Sequence, residues 1–334
     1  MSENTTIQVQ NLATGYRTKH GDTVITRDIN ASLRSGELTC LLGPNGAGKS
    51  TLLRTLAAFQ PPLSGEIYLE QRNLKSYTDA ELAKVIGVVL TDRIHLSNMT
   101  IEELVGMGRS PYTGFWGKLT KKDRQIVDEA MATVGVETLH GRMIQTLSDG
   151  ERQKVMIAKA LVQETPVIFL DEPTAFLDYP SKVEIMQLLQ QLSRTKHKTI
   201  FLSTHDLELA LQIADRIWLI DKGKELKVGT PEDLSLSGDM GHFFEREGVK
   251  FDLDLGLFRI DNARRYPIRV SGEGRRYNMV RKALARNGFF IDNQSETGYE
   301  IEITPEAYLI NHQSVRTIAE LIEILHKQPL KNIE

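Results

Sequence analysis

The sequence predicts an α/β fold in which helices cover a parallel sheet, and three observations support this prediction. Short apolar runs, such as residues 167–170 and 199–202, alternate with helical segments. Strands that are apolar on both faces are typical of parallel sheets buried between helices. One such strand, at 37–42, runs directly into a glycine-rich loop that begins at Gly43 and is followed by a helix at 52–58.

Other elements surround this sheet in order along the chain. Alternating runs at 7–12 and 24–33 predict an antiparallel β subdomain, and 66–69 and 85–90 predict further strands. Residues from about 92 to 165 are predicted to form a helical subdomain, in which Thr100 caps one helix and Thr120 starts another. Strands at 167–170, 199–202 and 216–220 then alternate with helices at 181–193 and 207–213.

The C-terminal part has a different pattern, which predicts a small separate α+β domain. We assign residues 1–261 to the main domain and 262–334 to this accessory domain. Its predicted elements follow a β-α-β-β-α order, with strands at 266–270, 288–291 and 299–303 and helices at 275–287 and 315–326.

The composition is that of an ordinary soluble globular protein. Charged residues make up 25% of the chain and the net charge is −3, which gives no global reason to expect a nucleic-acid partner. Cys40 is the single cysteine and cannot form an internal disulfide, which fits a reducing compartment. No apolar stretch approaches the roughly 20 residues that span a bilayer, so we expect any membrane role to come through a partner.

The glycine-rich loop fits G-x-x-x-x-G-K-[ST], the phosphate-binding pattern of P-loop NTPases. Its glycines let backbone N–H groups turn inward around phosphate oxygens, and the following helix start adds a partial positive charge. We expect Lys49 to contact the β- and γ-phosphates and the Ser50 hydroxyl to bind Mg²⁺. The predicted nucleotide-binding residues of the loop are Gly43, Pro44, Asn45, Gly46, Ala47, Gly48, Lys49, Ser50 and Thr51.

Two carboxylates, Asp171 and Glu172, end the apolar strand at 167–170. At the end of a parallel strand beside the loop, Asp171 can hold Mg²⁺, directly or through water. Glu172 can reach the water that attacks the γ-phosphorus. The alternative is a solvated acidic turn, which the phosphate-binding loop disfavours.

Further segments gain meaning from their order. Ser148 and Glu151 fit an ordinary helix capping box, but the ordered motifs jointly resemble the nucleotide-binding subunits of ATP-binding cassette (ABC) transporters over residues 5 to about 235. The residues that carry the resemblance, besides the loop, are the signature-like Ser148, Asp149, Gly150 and Glu151, the pair Asp171 and Glu172, Asp178 of the dimer-interface loop, His205 at the switch position, and Tyr16 at the adenine-stacking position.

The resemblance implies an ATPase that works as a head-to-tail homodimer. Each ATP would lie between one subunit's phosphate loop and the other's helix start at Ser148. Lys49, Glu172 and His205 are the implied catalytic residues, with His205 bonded to the γ-phosphate. The implied partners are polytopic membrane permease subunits and, indirectly, a substrate-binding protein, at the cytoplasmic face of the cell membrane.

One position departs from the family pattern. Thr91 stands where the family usually has a glutamine that touches the metal or water and couples the site to the partner. Either Thr91 makes an altered or water-bridged contact, or the segment is only a turn that ends a strand.

The stretch from Gly108 to Trp116 resembles importer subunits that serve iron chelates, haem and cobalamin; the alternative is a surface loop with two buried aromatics. An exporter, or a soluble ABC ATPase with a non-membrane partner, stays open, although the single phosphate loop and the lack of a heptad run disfavour the latter. The basic helix at 275–286 predicts either a solvated face or contact with anionic lipid headgroups.

Overall fold

The computed structural model describes residues 5–19, 21–90, 98–114, 117–253, 256–260, 266–294, 299–311 and 313–327. These residues form two compact units, one within Met1–Phe244 and Leu253–Leu257 and the other within Glu245–Asp252 and Phe258–Glu334. The chain first passes from the first unit to the second near Glu245, whereas the sequence pattern placed the domain boundary after residue 261. A domain boundary of this kind depends on which residues contact each other in space, and the sequence pattern does not show those contacts.

The first unit contains strands and helices that follow the predicted order. The strands are β1 (Thr5–Thr18), β2 (Gly21–Arg34), β3 (Leu38–Leu42), β4 (Ser64–Leu69), β5 (Arg72–Asn73), β6 (Ile86–Val89), β7 (Val167–Asp171), β8 (Thr199–Ser203), β9 (Arg216–Leu219) and β10 (Lys227–Gly229). The helices are α1 (Lys49–Leu56), α2 (Asp79–Val85), α3 (Ile101–Gly106), α4 (Lys121–Thr133), α5 (Asp149–Leu161), α6 (Tyr179–Lys196), α7 (Leu207–Ile213), α8 (Pro231–Leu236) and α9 (Asp239–Phe244).

The main sheet has the order β10-β9-β3-β8-β7-β6. All of its described pairings are parallel except that of β10 with β9. Its central strands are buried along their whole length, and Phe201 lies edge-on to both Phe169 and Trp218, with ring centroids 5.8 and 5.0 Å apart. Because the strands are parallel, the carboxyl ends of β3, β7 and β8 meet at one edge of the sheet.

An antiparallel sheet with the order β2-β1-β4-β5 accompanies the main sheet, as predicted. Helices α3, α4 and α5 lie between β6 and β7 and form the predicted helical subdomain. Thr78, Thr100 and Thr120 each cap a helix and each belong to a capping box. In the described part of the chain, every helix is too short or too polar to cross a membrane.

The second unit contains a hairpin and a small sheet covered by two helices. Its elements are β11 (Val249–Asp252), β12 (Leu257–Ile260), β13 (Tyr266–Ser271), α10 (Gly274–Arg286), β14 (Phe289–Ile291), β15 (Glu300–Ile303), β16 (Tyr308–Ile310), β17 (Gln313–Val315) and α11 (Ile318–Lys327). The sheet has the order β14-β13-β15-β16-β17, and residues of both helices pack into one buried core with it.

The order in this unit differs from the predicted β-α-β-β-α, because β16 and β17 precede the last helix. Each of these strands has three residues, and Asn311 between them has φ +45°. Strands this short show no measurable alternation, so the sequence predicted neither of them. The last helix begins at Ile318 and not at residue 315 for the same reason.

Candidate nucleotide site

The glycine-rich loop joins β3 to α1 and is closely packed from both sides. Gly46 and Gly48 have φ +79° and +102°, in the left-handed region that favours glycine. A Cβ at Gly48 would lie 2.4 Å from Ile25 Cγ2, and one at Gly43 would lie 2.2 Å from the carbonyl oxygen of Ile220. Close packing therefore requires glycine at 43 and at 48, and the backbone conformation favours it at 48 as well.

Lys49 begins α1, and its side chain is almost fully buried in the loop. Its Nζ donates to the carbonyl oxygens of Gly43 (2.8 Å) and Pro44 (3.3 Å). Burial lowers the pKa of the Lys49 ammonium, while the nearby carboxylates of Glu172 and Asp171 act in the opposite direction. The loop thus holds a cation among weak carbonyl acceptors, an arrangement in which a phosphate oxygen would be a stronger partner.

Asp171 ends β7 beside the loop, and two hydroxyls converge on it. Ser50 Oγ donates to Asp171 Oδ1 over 3.2 Å, and Ser203 Oγ donates to the same oxygen over 2.6 Å. Asp171 and Ser203 are cross-strand partners in β7 and β8. The sequence predicted Ser50 and Asp171 but missed Ser203, whose available signal was a polar residue at the end of an apolar strand.

The pair of Ser50 and Asp171 fits a magnesium ion. A hydroxyl and a carboxylate are hard oxygen donors, the type that Mg²⁺ prefers. In the described ranges, His, Cys, Asp and Glu side chains nowhere gather in a group of three or more that could hold a metal. Since Mg²⁺ usually takes one or two protein oxygens and completes its shell with water and substrate phosphates, two donors beside a phosphate loop are sufficient.

Glu172 follows Asp171 in an unusual backbone conformation, with φ +49°. Its backbone N–H donates to both the carbonyl oxygen and the Oγ of Ser203, at 3.1 and 3.0 Å. Its Oε2 lies 2.7 Å from His205 Nδ1. The structure thus brings together the two residues that the sequence assigned separately to the attacking water and to the γ-phosphate. A non-glycine residue in the left-handed region is strained and persists only where the surrounding structure holds it. Such residues are concentrated at functional sites.

Ser148 caps α5, a helix of 13 residues, in a reciprocal capping box with Glu151. The Glu151 N–H donates to Ser148 Oγ (3.2 Å), and the Ser148 N–H donates to Glu151 Oε2 (2.8 Å). The capping-box interpretation is therefore correct. The start of α5 is exposed, and an exposed helix N-terminus is a favourable place for an anion to bind. Asp149 and Gly150 lie in its first turn.

Asp178 lies close to this helix start. Its side chain caps α6 by accepting from the Ser181 N–H over 3.1 Å. A Cβ at Gly150 would lie 3.3 Å from Ser181 Oγ, so the first turns of α5 and α6 are neighbours. The residues predicted for the signature and for the dimer loop thus lie at neighbouring helix starts.

Tyr16, near the end of β1, lies beside the helix that follows the loop. The residue is 48% exposed, and its hydroxyl lies 3.0 Å from Thr51 Oγ1. The exposed ring is available for stacking, as the resemblance implies.

Two predicted positions, Thr91 and Trp116, lie outside the described residues. Arg109, in the importer-like stretch with Trp116, is buried and binds within the helical subdomain. It donates to Asp123 (2.9 Å), to Glu164 (2.6 Å) and to the carbonyl oxygen of Val162 (2.7 Å). This arginine therefore fixes the described part of the stretch to α4 and to the end of α5.

Comparison with known proteins connects this geometry to one family. The sequence profile of the ABC transporter family matches residues 26–175, and that of the iron ABC transporter C-terminal domain matches residues 265–326. An uncharacterised ABC transporter ATP-binding protein of Methanocaldococcus jannaschii is 40% identical over 256 residues, which span 77% of this chain and 87% of that protein.

A second relative carries a transport function in its name. The iron(3+)-hydroxamate import ATP-binding protein FhuC of Bacillus subtilis is 36% identical over 224 residues, which span 67% of this chain and 82% of that protein. Among solved structures, a dimeric bacterial ABC transporter cassette aligns with a TM-score of 0.59 at 28% identity, covering 67% of this chain and 98% of that one. The predicted P-loop NTPase core is confirmed.

Proposed function

Because the chain belongs to the ATP-hydrolysing subunits of ABC transporters, we propose that it drives the import of a ferric chelate through a membrane permease. The observation that carries the cargo class is the match of the second unit to the iron ABC transporter C-terminal domain. The iron(3+)-hydroxamate import function of the Bacillus subtilis relative supports the same class.

The described contacts suggest how this chain's residues would act on ATP. Lys49 would exchange the carbonyls of Gly43 and Pro44 for phosphate oxygens. Glu172 would orient the attacking water and accept its proton, and His205, which lies 2.7 Å from the Glu172 carboxylate, would hold that carboxylate or turn to the γ-phosphate. Bound Mg²⁺, held by Ser50 and Asp171, would supply positive charge that offsets the negative charge developing on the phosphates.

The site of one chain would be completed by a second copy. The start of α5 is exposed, and its cap is supplied by Ser148 and Glu151 of the same helix. A head-to-tail dimer would place this helix start against the γ-phosphate of the partner subunit's ATP. The dimeric state of the structurally similar cassette supports this arrangement.

The permease partner is tested by purifying a tagged chain in mild detergent from its native membranes and identifying the proteins that accompany it. We expect a polytopic membrane protein. Recovery of ribosomal or DNA-bound proteins in its place would contradict the transporter role.

The cargo is tested by uptake in cells that lack the chain and are complemented with it. We expect the wild type, but not Glu172→Gln, to restore uptake of a radiolabelled ferric siderophore. Both chains should co-purify with the membrane partner to the same extent. Restored uptake of cobalamin or haem alone would leave the ATPase role intact and overturn the ferric-chelate cargo.

A further inference from the structure

Gln60 lies in the turn after α1, and its side-chain amide connects that helix to the strand that carries Tyr16. The Nε2 atom donates to Thr55 Oγ1 (3.0 Å) and to the carbonyl oxygen of Gly15 (3.5 Å). Gly15 directly precedes Tyr16 in β1. A single amide therefore connects the backbone before the aromatic ring to the helix that follows the phosphate loop.

The far end of the ring is held to the same helix. Thr55 Oγ1 donates to the carbonyl oxygen of Thr51 over 2.8 Å, and Thr51 Oγ1 bonds the Tyr16 hydroxyl over 3.0 Å. Thr51 and Thr55 are both buried. These hydrogen bonds form a closed ring that connects Gln60, Thr55, Thr51 and the segment Gly15–Tyr16, and the Gln60 amide donates two of them.

The strand at this point has little freedom of its own. A Cβ at Gly15 would lie 2.0 Å from the carbonyl oxygen of Thr23, so the backbone is pressed against β2. The pairing of β1 with β2 shifts register between Thr14 and Gly15. Register shifts of this kind redirect the next side chain, here the ring of Tyr16.

We propose that Gln60 is a positioning residue for the nucleotide base, because its amide holds Tyr16 in the orientation in which the ring stacks. This inference rests on the proposed role of Tyr16. A ring that is already held at both ends loses less conformational freedom when the nucleotide binds than a free ring does. Removing the Gln60 amide should therefore weaken ATP binding and leave the rate of the hydrolysis step unchanged. Gln60 donates directly to Thr55 and Gly15, and it reaches the phosphate loop only through the bond from Thr55 to Thr51, so we expect its main effect on base binding.

The test compares the affinity of the full chain for ATP and for tripolyphosphate, which lacks the base. We expect Gln60→Ala to weaken ATP binding by about 3–10-fold, the loss of roughly one net hydrogen bond, and to leave tripolyphosphate binding within about twofold. In ATP hydrolysis the same variant raises KM and leaves kcat nearly unchanged. Gln125→Ala is the matched control, because this exposed glutamine bonds only Glu129 in the described structure.

A double-mutant cycle with Tyr16→Ala shows whether Gln60 acts through the ring. We expect Gln60→Ala to weaken ATP binding no further once the ring is absent. Parallel loss of ATP and tripolyphosphate affinity in Gln60→Ala would overturn the inference, since it would place the effect in the phosphate loop. Gln60→Met, which keeps the side-chain length and removes the donor, decides the matter if the alanine variant does not fold.

The outcomes separate the role of Gln60 from the stacking role of Tyr16 on which it rests. If Tyr16→Ala binds ATP as well as the wild type does, the base-stacking role of Tyr16 fails. If Tyr16→Ala loses ATP affinity while Gln60→Ala and Gln60→Met bind ATP normally, only the role of Gln60 fails.

Discussion

At the residue scale, the phosphate loop depends on positions where no side chain fits. Gly48 combines φ +102° with a Cβ position 2.4 Å from Ile25 Cγ2, so alanine there requires both a strained backbone and movement of the Ile25 side chain. We expect Gly48→Ala to weaken ATP binding at least about tenfold, because the loop N–H groups leave the positions that converge on phosphate. Isothermal titration with ATP measures this loss.

The matched control for this substitution is Gly223→Ala. Gly223 also has a positive φ, +73°, but a Cβ there meets nothing within 4 Å. Its backbone strain costs about 1 kcal/mol, and we expect ATP affinity to stay within about twofold of the wild type. Equal losses in the two variants would show that the effect of Gly48→Ala does not depend on the contact with Ile25.

Glu172 gives the second prediction at this scale. If it accepts the proton of the attacking water, Glu172→Gln should lower kcat by about 10²–10⁴-fold and leave ATP binding intact. Glu184→Gln is the control, because Glu184 takes part in a surface ion pair with Lys154 on α5. Hydrolysis by Glu172→Gln within tenfold of the wild-type rate would assign the role of base to another residue.

The sequence predicted most of these site residues but not their contacts with one another. The motif spacing located Lys49, Ser50 and Asp171 because the loop and the two strands of the sheet have recognisable local patterns. It could not show that Ser203 donates to Asp171, or that His205 meets Glu172, because both contacts join residues more than thirty positions apart. Such contacts depend on strand order, which short apolar strands do not encode.

At the element scale, the helix starts carry a pH dependence. Hydrogen bonds from Arg72 and from Thr78 lower the pKa of Glu81 from 4.5 to about 2. Since the folded pKa lies below the unfolded one, the stabilisation by Glu81 is fully present above about pH 4.5 and is lost as the pH falls through about 2. We expect Glu81→Gln to unfold at a lower temperature than the wild type at pH 6, with the difference closing toward pH 2.

Thermal unfolding between pH 2 and 6 checks this prediction. Thr78→Val removes one donor to the Glu81 carboxylate and also the acceptor of the Glu81 N–H, so only part of its difference from the wild type should close toward pH 2. A difference for Glu81→Gln that is constant over the whole range would assign its effect to packing and not to the charge.

The sequence predicted elements well where their signals are local. The helix starts at Thr100, Thr120 and Ser148 could be located from four-residue patterns, and all three caps are present. It failed at β16 and β17, whose pairing with each other and with β15 is fixed by tertiary contacts. It also gave no indication of the ion pairs of Arg109, which connect α4 to the end of α5 across 14 and 55 residues.

At the scale of the whole molecule, the surface formed by the starts of α5 and α6 is the expected complement of a partner subunit's phosphate loop. If the ATP site is shared in this way, Lys49→Ala disables the loop side and Ser148→Arg disables the helix side, and each homodimer is inactive. A mixed dimer of the two variants, however, has one site in which both sides are native. Mixing the purified variants should therefore restore ATP hydrolysis.

The size of the recovery follows from the symmetry of the dimer. Random exchange makes half of the dimers mixed, each with one intact site of two, so independent sites would give about a quarter of the wild-type rate. Cooperativity between the sites lowers this value, and a dimer that needs two intact sites would show no recovery. Mixing Lys49→Ala with Glu172→Gln is the control, since both changes lie on the loop side and no mixed site is intact. If Ser148→Arg alone hydrolyses ATP near the wild-type rate, the start of α5 does not complete the ATP site, and the role of Ser148 is only to cap its helix.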